Sequence, residues 1–259
     1  MDQIKMERQF ADEGFCIFPG ILSTDQLARI RDALDRGIEI TRRMRGSTYV
    51  AMLDPNDANI RVNVLPAIDP VFIDLLMRTD ALKAVEALLG PYFLISNFSA
   101  NVALPGSGSM RLHTDQALVM SPPWLQTFAM DVIWCLDDVH EMNGATRYLP
   151  GSHHYQMPED VPADAMNKTL AFKAPAGSFI AMDGRLWHSS GKNVTKNEQR
   201  RMMFAYYSSD FIRQEMNWNA CLPTDIQDGL GERARELFGL IPLANTRIAV
   251  EMTKLLPEG

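Results

Sequence analysis

From Tyr92 onward the chain is a succession of short apolar runs that leave almost no room for helices. The runs are YFLISNF, ANVAL, MRLHTD, FAMDVIWCL, ATRYL, KTLAFKA, GSFIAM and RMMFAYYS. Turn signals separate them: PGSGS, EMNG, LPGSHH, APAG and SSGKN. Such clusters of glycine, proline, serine and asparagine punctuate strands, because they supply the backbone geometries that turns need. About eight strands broken up in this way predict an antiparallel sandwich or jelly roll.

Ahead of this region the period changes to helical. Ser23 or Thr24 can cap a helix whose Leu27, Ile30, Leu34 and Ile38 recur on one face. A second helix is expected from Asp69 to Leu89, carried by Val71, Leu75, Leu82, Val85 and Leu89 and stopped by Gly90-Pro91. Between them lies GSTYVAMLDPNDANIRVNVLP, which reads as a polar binding loop or lid. A further helix is expected over Asp225 to Phe238. With no repeat or linker to divide it, the chain is expected to form a single domain, 1–259, mainly β with flanking helices.

Composition excludes several functions. The net charge of −7 leaves no basic stripe for nucleic acid. Arg42, Arg43 and Arg45 read as a solvated helix end. No apolar run is long enough to span a membrane, and MDQIKMERQF lacks the apolar core of a secretion signal. Cys16, Cys135 and Cys221 are scattered, which fits a reducing cytosol. The expected partner is a small molecule, and a monomer and a homodimer are both compatible with the sequence. The 16 methionines are expected mostly as core fillers.

The chemistry concentrates in MRLHTDQ. On a strand, His113 and Asp115 would point to one face, offering one nitrogen and one oxygen ligand. Of the other histidines, His140 lies in a polar turn, and His153 and His154 follow a turn and read as exposed. His188 follows an apolar strand and can point inward. Two histidines and a carboxylate suit a non-haem Fe(II) site with open positions, or Zn²⁺ with a catalytic water. A hydrogen-bonded core histidine oriented by Asp115 is the bland alternative. Twelve positions after His188 comes Arg200, where a guanidinium could bind a carboxylate, with the Ser190 hydroxyl as a further donor. Arg200, Met202, Phe204 and Tyr206 share one strand face; Arg201, Met203, Ala205 and Tyr207 share the other. Spacing does not say which face is inward.

Several blocks in order resemble the phytanoyl-CoA dioxygenase family of Fe(II)/2-oxoglutarate oxygenases. They are FADEGFCIFPGILSTDQL, PGSGSMRLHTDQ, LDDVHEMNGATRYLPGSHH, APAGSFIAMDGRLWHSSGKN and RRMMFAYYSSDFIRQEMNW, spanning about Phe10 to Trp218. The resemblance implies a double-stranded β-helix core, the cupin-like form of the jelly roll. It implies His113, Asp115 and His188 as iron ligands, with 2-oxoglutarate and O2 as cosubstrates. The 2-oxoglutarate arginine matches Arg200 if the preceding hairpin holds one extra residue; otherwise it is Arg201. Thr146 and Arg111 match positions near the cosubstrate, although small-molecule members often carry Gln at the latter. Thr114 replaces the Gln of acyl-CoA-type members, which argues against a CoA substrate. Related halogenases lack the carboxylate, so Asp115 implies hydroxylation, desaturation or ring closure. The expected reaction is hydroxylation of a small, largely apolar molecule, in natural-product biosynthesis. Its pocket would draw on residues 48–64 and 117–126 and on FIRQEMNW, with Arg61 and Asn63 near cosubstrate or substrate. Met120, Trp124, Met130, Trp134 and Trp218 are its apolar candidates, though such residues are more often core. The rival readings are a cupin-like metalloenzyme without 2-oxoglutarate and a non-catalytic jelly-roll binding protein.

Overall fold

A computed structural model describes residues 2–241. Among the described residues nine strands form two antiparallel sheets. The larger is six-stranded in the order β1 (Phe15–Phe18), β7 (Phe179–Asp183), β4 (Ala129–Cys135), β9 (Arg200–Ser209), β3 (Phe93–Ala103) and β2 (Asn59–Val62). The smaller runs β6 (Leu170–Ala171), β5 (Thr146–Tyr148), β8 (His188–Ser190). The sheets meet over a cluster of Ile133, Cys135, Ile180, Met182 and Met202 with Phe172 and Leu186. This is the expected jelly-roll class, built as two open sheets; among the described residues no barrel closes.

Helices cover the other face of the large sheet. α1 (Gln3–Glu13) precedes β1. α2 (Thr24–Arg45) begins with a Ser23–Gln26 capping box, buries Leu27, Ile30, Leu34 and Ile38, and ends at Gly46 in the left-handed region. Its last turn holds Arg42, Arg43 and Arg45, where cations complement the helix dipole.

The helix expected from Asp69 to Leu89 is two: α3 (Pro70–Leu76) and α4 (Thr79–Leu89). Arg78 is extended between them and clasps Asp80 through two bonds of 3.0 and 2.7 Å. α4 buries Ala81, Ala84 and Val85, while Leu82 and Leu89 are only half-buried. Small side chains there allow the helix to lie close against β4 and β7.

The expected lid is partly strand, since NIRV forms β2 and pairs Arg61 with Asn101. Its alternation of Ile60 and Val62 with Asn59 and Arg61 is a strand signal hidden in a polar stretch. YFLISNF and ANVAL form the single strand β3, with an irregularity between Ile95 and Asn97. A short α5 (Trp218–Cys221) precedes the expected tail helix, which is itself broken into α6 (Thr224–Gly229) and α7 (Glu232–Leu237). No helix of the described residues is long and apolar enough to cross a membrane.

Candidate metal and cosubstrate site

MRLHTD is not a strand. Only His113 pairs with the small sheet, through reciprocal backbone bonds with His188 of 2.9 and 2.8 Å. Asp115 then opens a single 3-10 turn. Thr114 between them is extended, so the alternation expected of a strand survives locally. The Thr114 hydroxyl points away and donates to Gly184 O at 2.5 Å. Buried Gln116 locks the turn: its amide donates to Gln126 O at 2.7 Å and accepts from Phe128 N–H at 2.8 Å.

This places His113, Asp115 and His188 together, with one ligand atom of each within 4.8 Å of the others. Asp115 Oδ1 is 3.7 Å from His113 Nε2, and Oδ2 is 3.4 Å from His188 Nε2. His113 Nδ1 contacts Arg111 O at 2.8 Å, and His188 Nδ1 contacts Leu186 O at 2.9 Å. A carbonyl can only accept, so each Nδ1 carries the proton and each Nε2 presents a lone pair toward Asp115. Two imidazoles and a carboxylate are a donor set that fits a divalent metal. Burial works against the Asp115 charge, but His188 and His113 outweigh it and hold the carboxyl below its usual range. Burial lowers the His188 pKa, against the pull of the Asp115 charge. On Asp131 the push is upward: burial first, then the Asp115 charge, raises its carboxyl well above the usual range.

The triad opens into a cavity of about 290 Å³, at the low end of ligand pockets. Arg200, Thr146 and Ser190 line it. The Ser190 hydroxyl accepts from Met110 N–H at 3.0 Å, so its own proton is free to be donated inward. Arg200 is 1 % exposed. It donates to Gly144 O at 3.0 Å and to the Asn101 backbone and side-chain oxygens at 3.3 Å. Gly144, at φ 88°, holds a conformation that L side chains rarely adopt where it presents that carbonyl. Among the described residues no carboxylate is in ion-pair range of Arg200. Burial pushes its pKa down to about 10, which leaves it cationic. Arg201 lies on the opposite face and is clamped by Asp137 at 2.9 and 2.7 Å. The inward arginine is therefore Arg200.

Other expectations are corrected. Arg111 is exposed; only its backbone carbonyl serves the site. His153 is buried at 1 % exposure, its Nε2 meeting Ala11 O at 3.1 Å, because it packs beneath Gly14. Met130, Trp134 and Trp218 are core, and neither Met120 nor Trp124 lines the cavity. Asn63 is absent from its wall, whereas Arg61 is present and paired with Asp54 at 2.8 Å. The apolar wall is Leu53, Met110, Leu118 and Phe204. Sequence reasoning did not single out Asn97, Ser99, Asn101, Asp131 and Glu215. On a strand the first four read as solvent-facing, and their signal was period-two alternation with buried neighbours; Glu215 lies in a loop and carried no such signal. A wider depression of about 540 Å³ beside Tyr92 and Phe128 contains none of the triad.

The sequence profile of the phytanoyl-CoA dioxygenase (PhyH) family matches residues 10–203. The chain belongs to the phytanoyl-CoA dioxygenase family. Its members are Fe(II)/2-oxoglutarate-dependent oxygenases, and the His113–Asp115–His188 cluster and Arg200 fall within the matched span or at its edge. Dioxygenase af480 of Aspergillus fumigatus is 44% identical over 232 residues, covering 88% of this chain and 74% of that one. The structure of EctD from S. alaskensis with bound Fe has TM-score 0.67 and 22% identity, covering 83% of this chain and 81% of EctD. The non-heme alpha-ketoglutarate-dependent carbocyclase SnoK from nogalamycin biosynthesis has TM-score 0.66 and 17% identity, covering 83% and 88%. At these identities the two structures speak to the fold of this phytanoyl-CoA dioxygenase family member.

Proposed function

We propose that His113, Asp115 and His188 hold Fe(II), that Arg200 binds the distal carboxylate of 2-oxoglutarate, and that the enzyme hydroxylates a C–H bond of a small molecule. The observation that carries this is the pairing of two features in one cavity: a three-ligand cluster with both Nε2 atoms turned toward Asp115, and a buried cation with no acid partner among the described residues. A buried guanidinium is tolerated only when hydrogen-bonded and neutralised. A dicarboxylate reaching from the triad supplies the missing charge.

Fe(II) with 2-oxoglutarate and O2 supplies the oxidation: 2-oxoglutarate, O2 and R–H become succinate, CO2 and R–OH. The chain's own residues orient and enclose. The carbonyls of Arg111 and Leu186 fix the imidazole tautomers. Tyr206 donates to Asp115 O at 3.0 Å and steadies the turn that carries the carboxylate. Thr146 and Ser190 flank the cosubstrate, while Phe204 and Leu118 exclude water from the target carbon. With Asp115 present as a third ligand, oxygen chemistry rather than halogenation follows. The substrate reading is a natural-product intermediate, and the cellular setting a reducing cytosol, consistent with Cys16, Cys135 and Cys221 being free thiols.

Aerobic incubation with Fe(II) and 2-oxoglutarate tests the assignment. Wild type should convert 2-oxoglutarate to succinate slowly even without substrate, and Asp115→Ala should not. Equal succinate from both proteins would remove the triad from the mechanism.

A further inference from the structure

The two ends of the cavity are chemically opposite. Arg200 and Tyr206 share a face of β9 six positions apart, about 20 Å of strand. At the Arg200 end the wall offers a donor. At the Tyr206 end, register places Asp131 of β4 on one side of Tyr206 and Asn97 of β3 on the other. Two donors of that row are already used within the protein. Tyr206 OH donates to Asp115 O at 3.0 Å, and Asn97 Nδ2 donates to Glu215 Oε2 at 2.8 Å.

Acceptors remain. Asn97 Oδ1 is buried without a hydrogen-bond partner among the described residues, Asp131 Oδ2 has no donor beyond the carboxyl hydrogen bond that Asp131 shares with Asp115, and both side chains line the cavity. Asp131 is 4 % exposed. In either protonation state its carboxyl keeps an acceptor oxygen. Glu215 adds a carboxylate at the rim. Buried acceptors are costly unless something donates to them. Phe204, between Arg200 and Tyr206 on the same face, and Leu118 above supply carbon surface.

We propose that Asp131, Asn97 and Glu215 form the substrate-recognition subsite, and that it takes a hydrogen-bond-donating group, a hydroxyl or an ammonium, on an otherwise carbon-rich small molecule. Assigning the opposite end to the cosubstrate rests on the dioxygenase reading. A donor held beside Tyr206 sits next to the turn of Asp115, so it fixes which neighbouring carbon faces the metal. A carboxylate in that position would face the Glu215 carboxylate and the Asn97 and Asp131 oxygens, and a bare hydrocarbon would leave those oxygens unpaired.

Four probes built on one ring test this: cyclohexanol, cyclohexylamine, methylcyclohexane and cyclohexanecarboxylate. Their binding is read by saturation-transfer NMR on the metal-free protein with excess 2-oxoglutarate, which occupies Arg200, and again after anaerobic addition of Fe(II). The alcohol and the amine should bind about tenfold more tightly than the other two, because only they satisfy the acceptors. Which of them leads identifies the donor as neutral or cationic. Asn97→Leu and Glu215→Leu should each shrink that preference; Glu215 is at the exposed rim, where substitution does not threaten the fold. Equal binding of all four probes, or strongest binding by the carboxylate, would overturn the proposal. If the ranking holds but the protein shows no 2-oxoglutarate complex, the subsite stands and the cosubstrate assignment falls.

Discussion

Along β9, alternate residues serve two faces of one sheet, and the faces are finished to different degrees. On the helix-covered face Arg201 is complete: Asp137 grips it at 2.9 and 2.7 Å, and Arg31 approaches the same carboxylate at 3.3 Å. That hydrogen bond raises the Arg201 pKa. On the cavity face Arg200 is more deeply buried, has only neutral oxygens as partners and is pulled down to about 10 by burial. The tyrosines repeat the pattern. Tyr207 OH donates to Leu76 O at 3.3 Å and ties the sheet to α3. Tyr206 OH donates to Asp115 O and ties the sheet to the triad. Saturated polar groups build a wall, whereas unsaturated ones wait for a ligand.

Six substitutions can break this comparison. The largest effect is expected from Trp134→Ala on the helix-covered face, where the ring is fully buried and 5.0 Å from the Phe179 ring. It should cost about 3–5 kcal/mol in urea unfolding, with 2-oxoglutarate affinity of the folded protein unchanged. Next is Arg200→Met, which should weaken 2-oxoglutarate binding by about 2–5 kcal/mol in calorimetry; Arg201→Met should shift that affinity roughly threefold at most and lower the melting temperature instead. Asp137→Ala should cost about 1–3 kcal/mol of stability, since it strands Arg201. Smallest is Tyr207→Phe, at about 0.5–1.5 kcal/mol. Its counterpart Tyr206→Phe should leave unfolding nearly unchanged and weaken Fe(II) binding about tenfold. A Tyr206→Phe protein that loses stability but keeps its metal affinity would erase the distinction between the faces.

The sequence made much of this legible, and the failures have physical causes. Turn chemistry exposed the strand-rich half because glycine and proline act locally. His113, Asp115 and His188 were readable as a set because alternation survives through Thr114 even without a strand. The inward arginine was not readable, since Asp137, 64 residues away, decides it by capturing Arg201. The break at Arg78 was hidden because apolar spacing continues across it. β2 was hidden because its arginine, Arg61, faces the cavity rather than solvent. His153 looked like a turn residue and is a core residue, because α1 covers it through Ala11.

The central claim is that one cavity holds a metal at the triad and a carboxylate at Arg200. The most direct measurement is the visible metal-to-ligand charge-transfer band formed when Fe(II) and 2-oxoglutarate are added anaerobically. Wild type and Arg201→Met should develop it, His113→Ala should not, and Arg200→Met should need far more 2-oxoglutarate to reach it. A band that forms equally well in Arg200→Met and His113→Ala would contradict the account.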